Sequence, residues 1–262
     1  MASNPPGACC IRGNLFECAA TYLPRGEPTG KMIKLEDGKT DAYIASPPAD
    51  KAKKDCAILY IADIYGIWQN SKLMADSFAA AGYTTLIPDL FNGDQLPVDS
   101  PEGFDILGWI AKGTGDQNPH TKEYIDPVVV SGIKTLKAHG FKNIGSAGYC
   151  FGAKYVVRHY KDGINVGYIA HPSFVEEDEL AAITGPLSIS AAETDSIFPA
   201  DKRHKSEEIL AKTKLPYQIN LFQGVSHGFA VRGDMTVRAN RFAKAQAFQQ
   251  AVAWFDEHLA SA

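Results

Sequence analysis

Gly148-Tyr149-Cys150-Phe151-Gly152 places a cysteine between two glycines, a spacing suited to a thiol nucleophile carried on a sharp turn. The chemistry open to such a residue is attack on a carbonyl carbon, giving a thioester acyl-enzyme that water later hydrolyses. The flanks favour that reading. Asn143 to Ala147 is a small, apolar run suited to a buried strand, and Ala153 to Arg158 continues as a helix, so the pentapeptide reads as strand, turn and helix. Gly148 and Gly152 let strand and helix approach closely, and the turn lifts the Cys150 sulfur toward the helix N-terminus, where backbone N–H groups favour the thiolate. Taken alone, the pentapeptide fits a buried cysteine in a glycine-rich connection equally well.

A turn-borne nucleophile needs a base and a carboxylate to orient it, following in the order nucleophile, acid, histidine. Both occur downstream. An apolar run leads into Glu193-Thr194-Asp195-Ser196, which puts Asp195 just past a strand end, and Gln223-Gly224-Val225-Ser226-His227-Gly228-Phe229 forms the loop after the next strand. Cys150, Asp195 and His227 are therefore the candidate catalytic residues.

The elements that must position them alternate. Core strand candidates are Ala57 to Ala62, Thr84 to Ile87, Asn143 to Ala147, Val166 to Ala170, Pro186 to Ala191 and Tyr217 to Phe222. Helical patterns cover Ser71 to Ala81, Asp126 to His139, Ala153 to Tyr160 and Asp201 to Lys212. This alternation predicts an α/β fold, a mostly parallel central sheet flanked by helices on both faces. Ligands in such sheets sit beyond the carboxyl ends of the strands, where all three candidates fall.

On these residues the chain resembles the dienelactone hydrolase family, a cysteine-dependent branch of the α/β-hydrolase fold, over nearly its whole length. The resemblance is carried by Gly148-Tyr149-Cys150-Phe151-Gly152, Glu193-Thr194-Asp195, Ser226-His227-Gly228-Phe229 and Ile61-Ala62-Asp63-Ile64-Tyr65-Gly66, and the leader Gly7-Ala8-Cys9-Cys10 is similar to fungal members. It implies that Asp63 stands where the family has a glutamate that contacts the resting thiol, with a shorter side chain for the same reach. It also implies an oxyanion hole from the backbone N–H groups of Ile64 and Phe151, two donors aimed at the developing charge. Bacterial members hold a dienelactone carboxylate with two arginines. This chain has none from Gly26 to Val157, and Arg232 lies one residue beyond the matching position after the histidine. Lysine lacks arginine's bidentate fork. The expected substrate is therefore an ester or lactone other than a strict dienelactone.

Further pocket candidates each have a plainer alternative. Tyr65 and Trp68 follow the early strand and either flank substrate or pack into the core. His171, at a strand end, either touches substrate or is a hydrogen-bonded structural residue. Phe198 and Phe229 are candidate apolar walls. Asp89 reads as a loop carboxylate rather than a rival of Asp195, and Asp201 as the N-cap of the following helix.

With 262 residues and 45% hydrophobic content, the whole chain is expected to form one domain, with an irregular arm over about residues 1–30. A net charge of −4 excludes an extended basic field for nucleic acid or an anionic membrane, and no apolar run is long enough to span a bilayer. A small-molecule partner, a monomer or homodimer and a cytoplasmic location are expected, with no cofactor and no metal. Five cysteines at irregular spacing do not suggest a disulfide framework. Cys9 and Cys10 read as thiols on the arm, Cys56 as a buried strand opener, and Cys18 is uninformative. A Gly, Pro and Asp-rich insertion between Asn92 and His120, around a helix at Pro101 to Lys112, is placed to set access. The final helix, Arg241 to Leu259, is expected to pack through Phe242, Ala245, Phe248, Val252 and Phe255.

The functional expectation is a cysteine hydrolase of small esters or lactones. Two alternatives are a tailoring step on a polyketide-like intermediate, and a non-catalytic ligand receptor using the same pocket, against which an intact Cys150, Asp195 and His227 set argues.

Overall fold

Short apolar and β-branched runs pair into one sheet in the computed structural model, which describes residues 1–11, 26–98, 100–101 and 103–259. Its strands are β1 (Lys31–Lys34), β2 (Asp41–Ala45), β3 (Cys56–Ile61), β4 (Thr84–Pro88), β5 (Asn143–Tyr149), β6 (Val166–Ala170), β7 (Leu187–Thr194) and β8 (Tyr217–Ser226). They lie in the order β1-β2-β4-β3-β5-β6-β7-β8. β2 runs antiparallel to β1 and β4, and every pairing from β4 through to β8 is parallel. Every residue of β3 and β6 is buried, as expected of parallel strands covered on both faces.

The helices are α1 (Gln69–Ala80), α2 (Ile106–Lys112), α3 (Lys122–Ala138), α4 (Gly152–Arg158), α5 (Glu177–Ala181), α6 (Ala200–Thr213), α7 (Phe229–Arg232) and α8 (Arg238–His258). β5 shows how they divide. A Cβ on Gly145 would meet the Phe255 ring of α8, whereas one on Gly148 would meet Val156 of α4. An odd separation along a strand points to opposite faces, so α8 and α4 cover opposite sides. α1, α7 and α8 pack together on one side, and α4, α5 and α6 on the other, where Arg158 ties α4 to α3 through Asp126.

α8 also fixes β7, the strand that delivers Asp195. Gln250 is buried. Its Oε1 accepts from Ser190 Oγ at 2.8 Å and its Nε2 donates to Ser188 Oγ at 2.8 Å and Ile189 O at 3.1 Å. Tyr168 of β6 completes the network by donating to Ser190 Oγ at 2.9 Å. A buried polar group fully paired in this way locks register instead of costing stability.

The expected strands and main helices are present, with several bounds corrected. β5, β7 and β8 each run further than expected, because β5 pairs with β6 as far as Tyr149↔Ala170 and β7 with β8 as far as Thr194↔Ser226, beyond an irregularity. α3 begins at Lys122 and carries Pro127 inside its second turn, so Asp126-Pro127 is not its start. Asp201 is not an N-cap. α6 starts at Ala200 after Pro199, leaving Asp201 in the first turn, where a carboxylate favours the helix dipole. On α8, Phe242 is 63% exposed. At 3.6 residues per turn it lies about 120° around the helix from Phe248, outside the stripe set by Ala247, Phe248, Ala251, Trp254 and Phe255. Asp89 is a loop carboxylate, accepting from Phe91 N and Gly93 N, and Cys56 opens β3 buried, both as expected. Cys18 and residues 12–25 of the expected arm lie outside the described residues. Among the described residues no helix is long and apolar enough to cross a membrane.

α4 packs tightly on β3 at Gly152, where an added Cβ would overlap the Ile61 carbonyl. Gly152→Ala is expected to lose about 3 kcal/mol in urea unfolding, because the backbone of β3 cannot give way. Gly140→Ala, with open space around it but a φ of 93°, is expected to lose about 1 kcal/mol.

Candidate active site

The site is built where β3, β5, β6, β7 and β8 end. At the end of β5 the chain turns sharply, and Cys150 takes a φ of 52°, a left-handed conformation that costs a non-glycine residue roughly 1–3 kcal/mol. Three backbone hydrogen bonds hold it: Cys150 N donates to Ala170 O at 3.1 Å, and Cys150 O accepts from Ala153 N at 3.2 Å and Ser173 N at 3.0 Å. The turn also needs its glycines, since a Cβ at Gly148 would sit 2.5 Å from Val156 Cγ2 and 2.9 Å from Ala153 Cα.

His227 follows β8, and Gly228 at a φ of 89° turns the chain into α7. The His227 ring bridges two groups, with Nε2 3.2 Å from Cys150 Sγ and Nδ1 2.9 Å from Asp195 Oδ2. The other Asp195 oxygen accepts from Ile197 N at 2.8 Å and Phe198 N at 3.1 Å, which fixes the carboxylate plane. All three side chains are buried. The three residues read from the sequence thus form one connected chain.

Burial alone would push the Cys150 thiol up, but hydrogen bonding from Cys10 and the charge of His227 outweigh it and hold the thiol well below its ordinary value. For His227, burial works against the cation, yet the Cys150 charge and the bond to Asp195 raise it to about 10. Asp195, despite its burial, is lowered by the bond to His227 and by that residue's charge. The resting pair is therefore thiolate and imidazolium.

Asp63, after β3, is engaged elsewhere than expected. Its Oδ2 accepts from Arg232 Nη1 at 2.6 Å, and its Oδ1 accepts from Tyr65 N at 3.1 Å. Burial lifts its carboxyl to about 6, with Arg232 opposing. Asp63 remains charged near neutral pH and faces Arg232 as a buried ion pair. Arg232 is itself buried, and its guanidinium lies 5.6 Å from the centre of the Tyr65 ring. A substrate carboxylate reaching it would compete with Asp63.

The aromatic candidates gather around this core. The Tyr65 and Trp68 rings are 4.9 Å apart. His171, at a φ of 39°, sits edge-on to His227 at 5.0 Å and to Phe229 at 5.7 Å. Burial lowers His171 to about 4, so its ring is neutral. Neither of its ring nitrogens has a hydrogen-bond partner among the described residues. Phe198 is buried behind Asp195, and Phe151 and Ile64, whose N–H groups are the expected oxyanion donors, are buried at the turns after β5 and β3.

Two residues escaped the sequence reading. Ser173 Oγ lies 3.4 Å from Cys150 Sγ. Cys10 is fully buried, with Sγ 3.6 Å from Cys150 Sγ and 3.6 Å from His227 Nε2. The first residues of the chain run along the loops after β6 and β7, where Ser3 N donates to Val175 O, Asn4 N to Ile197 O and Phe174 N to Asn4 O. That path delivers Cys10, and spacing along the chain carries no signal of it. By contrast, a cleft of about 660 Å³ lined by Glu36, Asp89, Tyr124 and Lys134 includes no residue of the triad.

Comparison with known proteins agrees with this geometry. The Dienelactone hydrolase family profile matches residues 40–259. Hydrolase pyvD of Aspergillus violaceofuscus is 47% identical over 99% of both chains, and hydrolase tropI of Talaromyces stipitatus is 44% identical over 99% of both. Dienlactone hydrolase 1 of Gibberella moniliformis is 33% identical, over 99% of this chain and 97% of its own. Among solved structures, m3DLH superposes with a TM-score of 0.68 at 15% identity, covering 89% of this chain and all 100% of that one. A dienelactone-hydrolase-like promiscuous phosphotriesterase from metagenomic libraries gives 0.66 at 14% identity, covering 89% and 99%. Such low identities speak for the fold alone, whereas the family profile and the fungal relatives establish descent. The chain belongs to the dienelactone hydrolase family and is an α/β-hydrolase with a Cys150, His227 and Asp195 triad.

Proposed function

We propose that the protein hydrolyses small-molecule carboxylic esters or lactones through a thioester on Cys150. The observation that carries this reading is the unbroken chain from Cys150 Sγ through His227 to Asp195, at 3.2 Å and 2.9 Å, on a strained turn. Cys150 thiolate attacks the carbonyl carbon, and the carbonyl oxygen becomes an oxyanion that the N–H groups of Ile64 and Phe151 receive. His227 Nε2–H protonates the departing alkoxide as the carbon–oxygen bond breaks. The now neutral His227 takes a proton from water, whose oxygen attacks the thioester, and the thiolate leaves to restore the starting pair. Asp195 keeps the imidazole in one orientation throughout. Tyr65, Trp68, His171, Phe198 and Phe229 form the surround of the acyl group.

Arg232 in this reading serves chiefly to neutralise Asp63, so that the site, thiolate included, carries one net negative charge instead of two. A substrate without a carboxylate is then favoured over a dienelactone. The four described cysteines are unpaired, which supports a reducing compartment such as the cytoplasm.

Hydrolysis of p-nitrophenyl acetate and of a simple lactone tests the proposal. Cys150→Ala is expected to lose more than about 10³-fold in kcat/KM while keeping its circular dichroism spectrum. Asp195→Asn should lose up to about 10⁴-fold through the wrong imidazole tautomer. Undiminished hydrolysis by Cys150→Ala would defeat the reading, and turnover of the lactone without net addition of water would favour a tailoring step instead.

The ion pair makes a separate prediction for reactivity with iodoacetamide. An ordinary thiol of pKa about 8.5 slows roughly 75-fold between pH 8 and pH 6, because its thiolate fraction falls. With its thiol held well below its ordinary value, Cys150 is expected to depend on pH far less steeply than that, whatever shielding the arm imposes. His227→Gln should restore the steep dependence. A steep profile for the unaltered protein, followed by peptide mapping of Cys150, would show that the resting thiol is neutral.

A further inference from the structure

The leader brings a second thiol into the site, and with it three donor atoms form a triangle of definite size. Its edges are 3.6 Å from Cys10 Sγ to Cys150 Sγ, 3.6 Å from Cys10 Sγ to His227 Nε2 and 3.2 Å from Cys150 Sγ to His227 Nε2. A tetrahedral zinc ion, with Zn–S about 2.3 Å and Zn–N about 2.0–2.1 Å, holds two sulfurs about 3.8 Å apart and a sulfur and an imidazole nitrogen about 3.6 Å apart. Each observed edge lies within about 0.4 Å of that requirement. We propose that Cys10, Cys150 and His227 form a binding site for a thiophilic divalent cation, zinc above all, which reversibly silences the enzyme by occupying its nucleophile and its base.

The surroundings suit such an ion. A metal-bound histidine is normally oriented by a carboxylate on its other nitrogen, and Asp195, fixed by Ile197 N and Phe198 N, already receives His227 Nδ1–H. The orientation that aims Nε2 at sulfur for catalysis is the one that aims it at a metal. Charge balances as well. Binding releases one proton from Cys10 Sγ and one from His227 Nε2, leaving a dication with two thiolates and a neutral imidazole. Arg232, the nearest cation, faces Asp63, so its charge is largely cancelled. Three protein donors leave the fourth tetrahedral position for water, as in zinc sites that are not closed. His171, its ring nitrogens without hydrogen-bond partners among the described residues, borders that region against His227. The three donors are buried, so an ion reaches them only through a local opening of the site.

What the sequence could not show is that the leader's Cys10 completes a third vertex. The inhibitory part of the proposal rests on the hydrolase reading above, and the binding part rests on the donor geometry alone.

The test uses the full chain, reduced and freed of reductant under nitrogen, titrated first with Co²⁺ and then with Zn²⁺ in competition with a chromogenic chelator. One Co²⁺ per chain is expected, with tetrahedral d–d bands and a thiolate-to-metal charge-transfer band. Cys10→Ala should lower that charge-transfer band by about half and weaken zinc binding by more than about 100-fold, beyond the effect typical of an outer-shell change. Asp195→Asn should weaken it by about 10- to 100-fold, and Cys9→Ala should leave it unchanged. Zinc should inhibit ester hydrolysis reversibly by chelator, at a concentration at least tenfold lower in the unaltered protein than in Cys10→Ala, each referred to its own zinc-free rate. A cobalt spectrum without thiolate bands, or equal zinc affinity in Cys10→Ala, would overturn the site. Hydrolysis absent from the zinc-free protein would sink the functional reading while the cobalt titration still decided the binding.

Discussion

Everything in this active site depends on burying a charged pair, the Cys150 thiolate and the His227 imidazolium, at the end of a parallel sheet. Removing either ion from water costs several kcal/mol, and their attraction offsets that only if geometry is good and the remaining polar atoms are paired. The fold meets both conditions through strand ends. β5 presents the sulfur, β8 presents the ring, and β7 presents Asp195, whose two oxygens are taken up by His227 and by the N–H groups of Ile197 and Phe198. Parallel pairing fixes these ends relative to one another, so the 3.2 Å contact is a property of strand register as much as of side chains. The positive φ of Cys150 is the local strain that this arrangement imposes.

A second buried pair, Asp63 with Arg232, lies beside the first and obeys the same physics. A lone carboxylate after β3 would repel the thiolate and raise it. Paired at 2.6 Å, the two form a nearly neutral unit; Arg232 only partly opposes the burial that keeps the Cys10 thiol well above its ordinary value. The pairing also bears on specificity. An arginine already bound to Asp63 is a poor receptor for a second carboxylate, because a substrate would have to replace a short buried ion pair with a longer one. This is the physical basis of the proposed preference for an ester or lactone without a carboxylate.

Much of the site was legible in the sequence because its residues sit at positions that local pattern marks. Cys150 stands between glycines at a strand-to-helix turn, Asp195 follows an apolar run that reads as a buried strand, and His227 follows the next strand pattern. The sheet order was not legible beyond its mostly parallel character, since β2 enters next to β4 through antiparallel pairing that alternation alone does not reveal. α5 and α7, five and four residues long, are too short for a helical period to show. Phe242 misled because its apolar type fits a packing stripe that its angular position on α8 does not. The pairing of Asp63 with Arg232 was not legible, because Arg232 lies 169 residues away and only the fold brings them together.

Cys10 is the clearest case of information held in long-range contacts alone. Nothing in Cys9-Cys10 distinguishes a solvent-exposed pair of thiols from a residue laid over the nucleophile 140 positions away. What places it is backbone pairing of Ser3 and Asn4 along the loops after β6 and β7, bonds that individually contribute only about 0.5–1.5 kcal/mol. A few such bonds are strong enough to keep Cys10 in place most of the time and weak enough to break without unfolding the sheet. An acyl carbon must come within about 3.5 Å of the Cys150 sulfur to react, a space that Cys10 now fills. The leader is as much a part of the site as the strand ends beneath it.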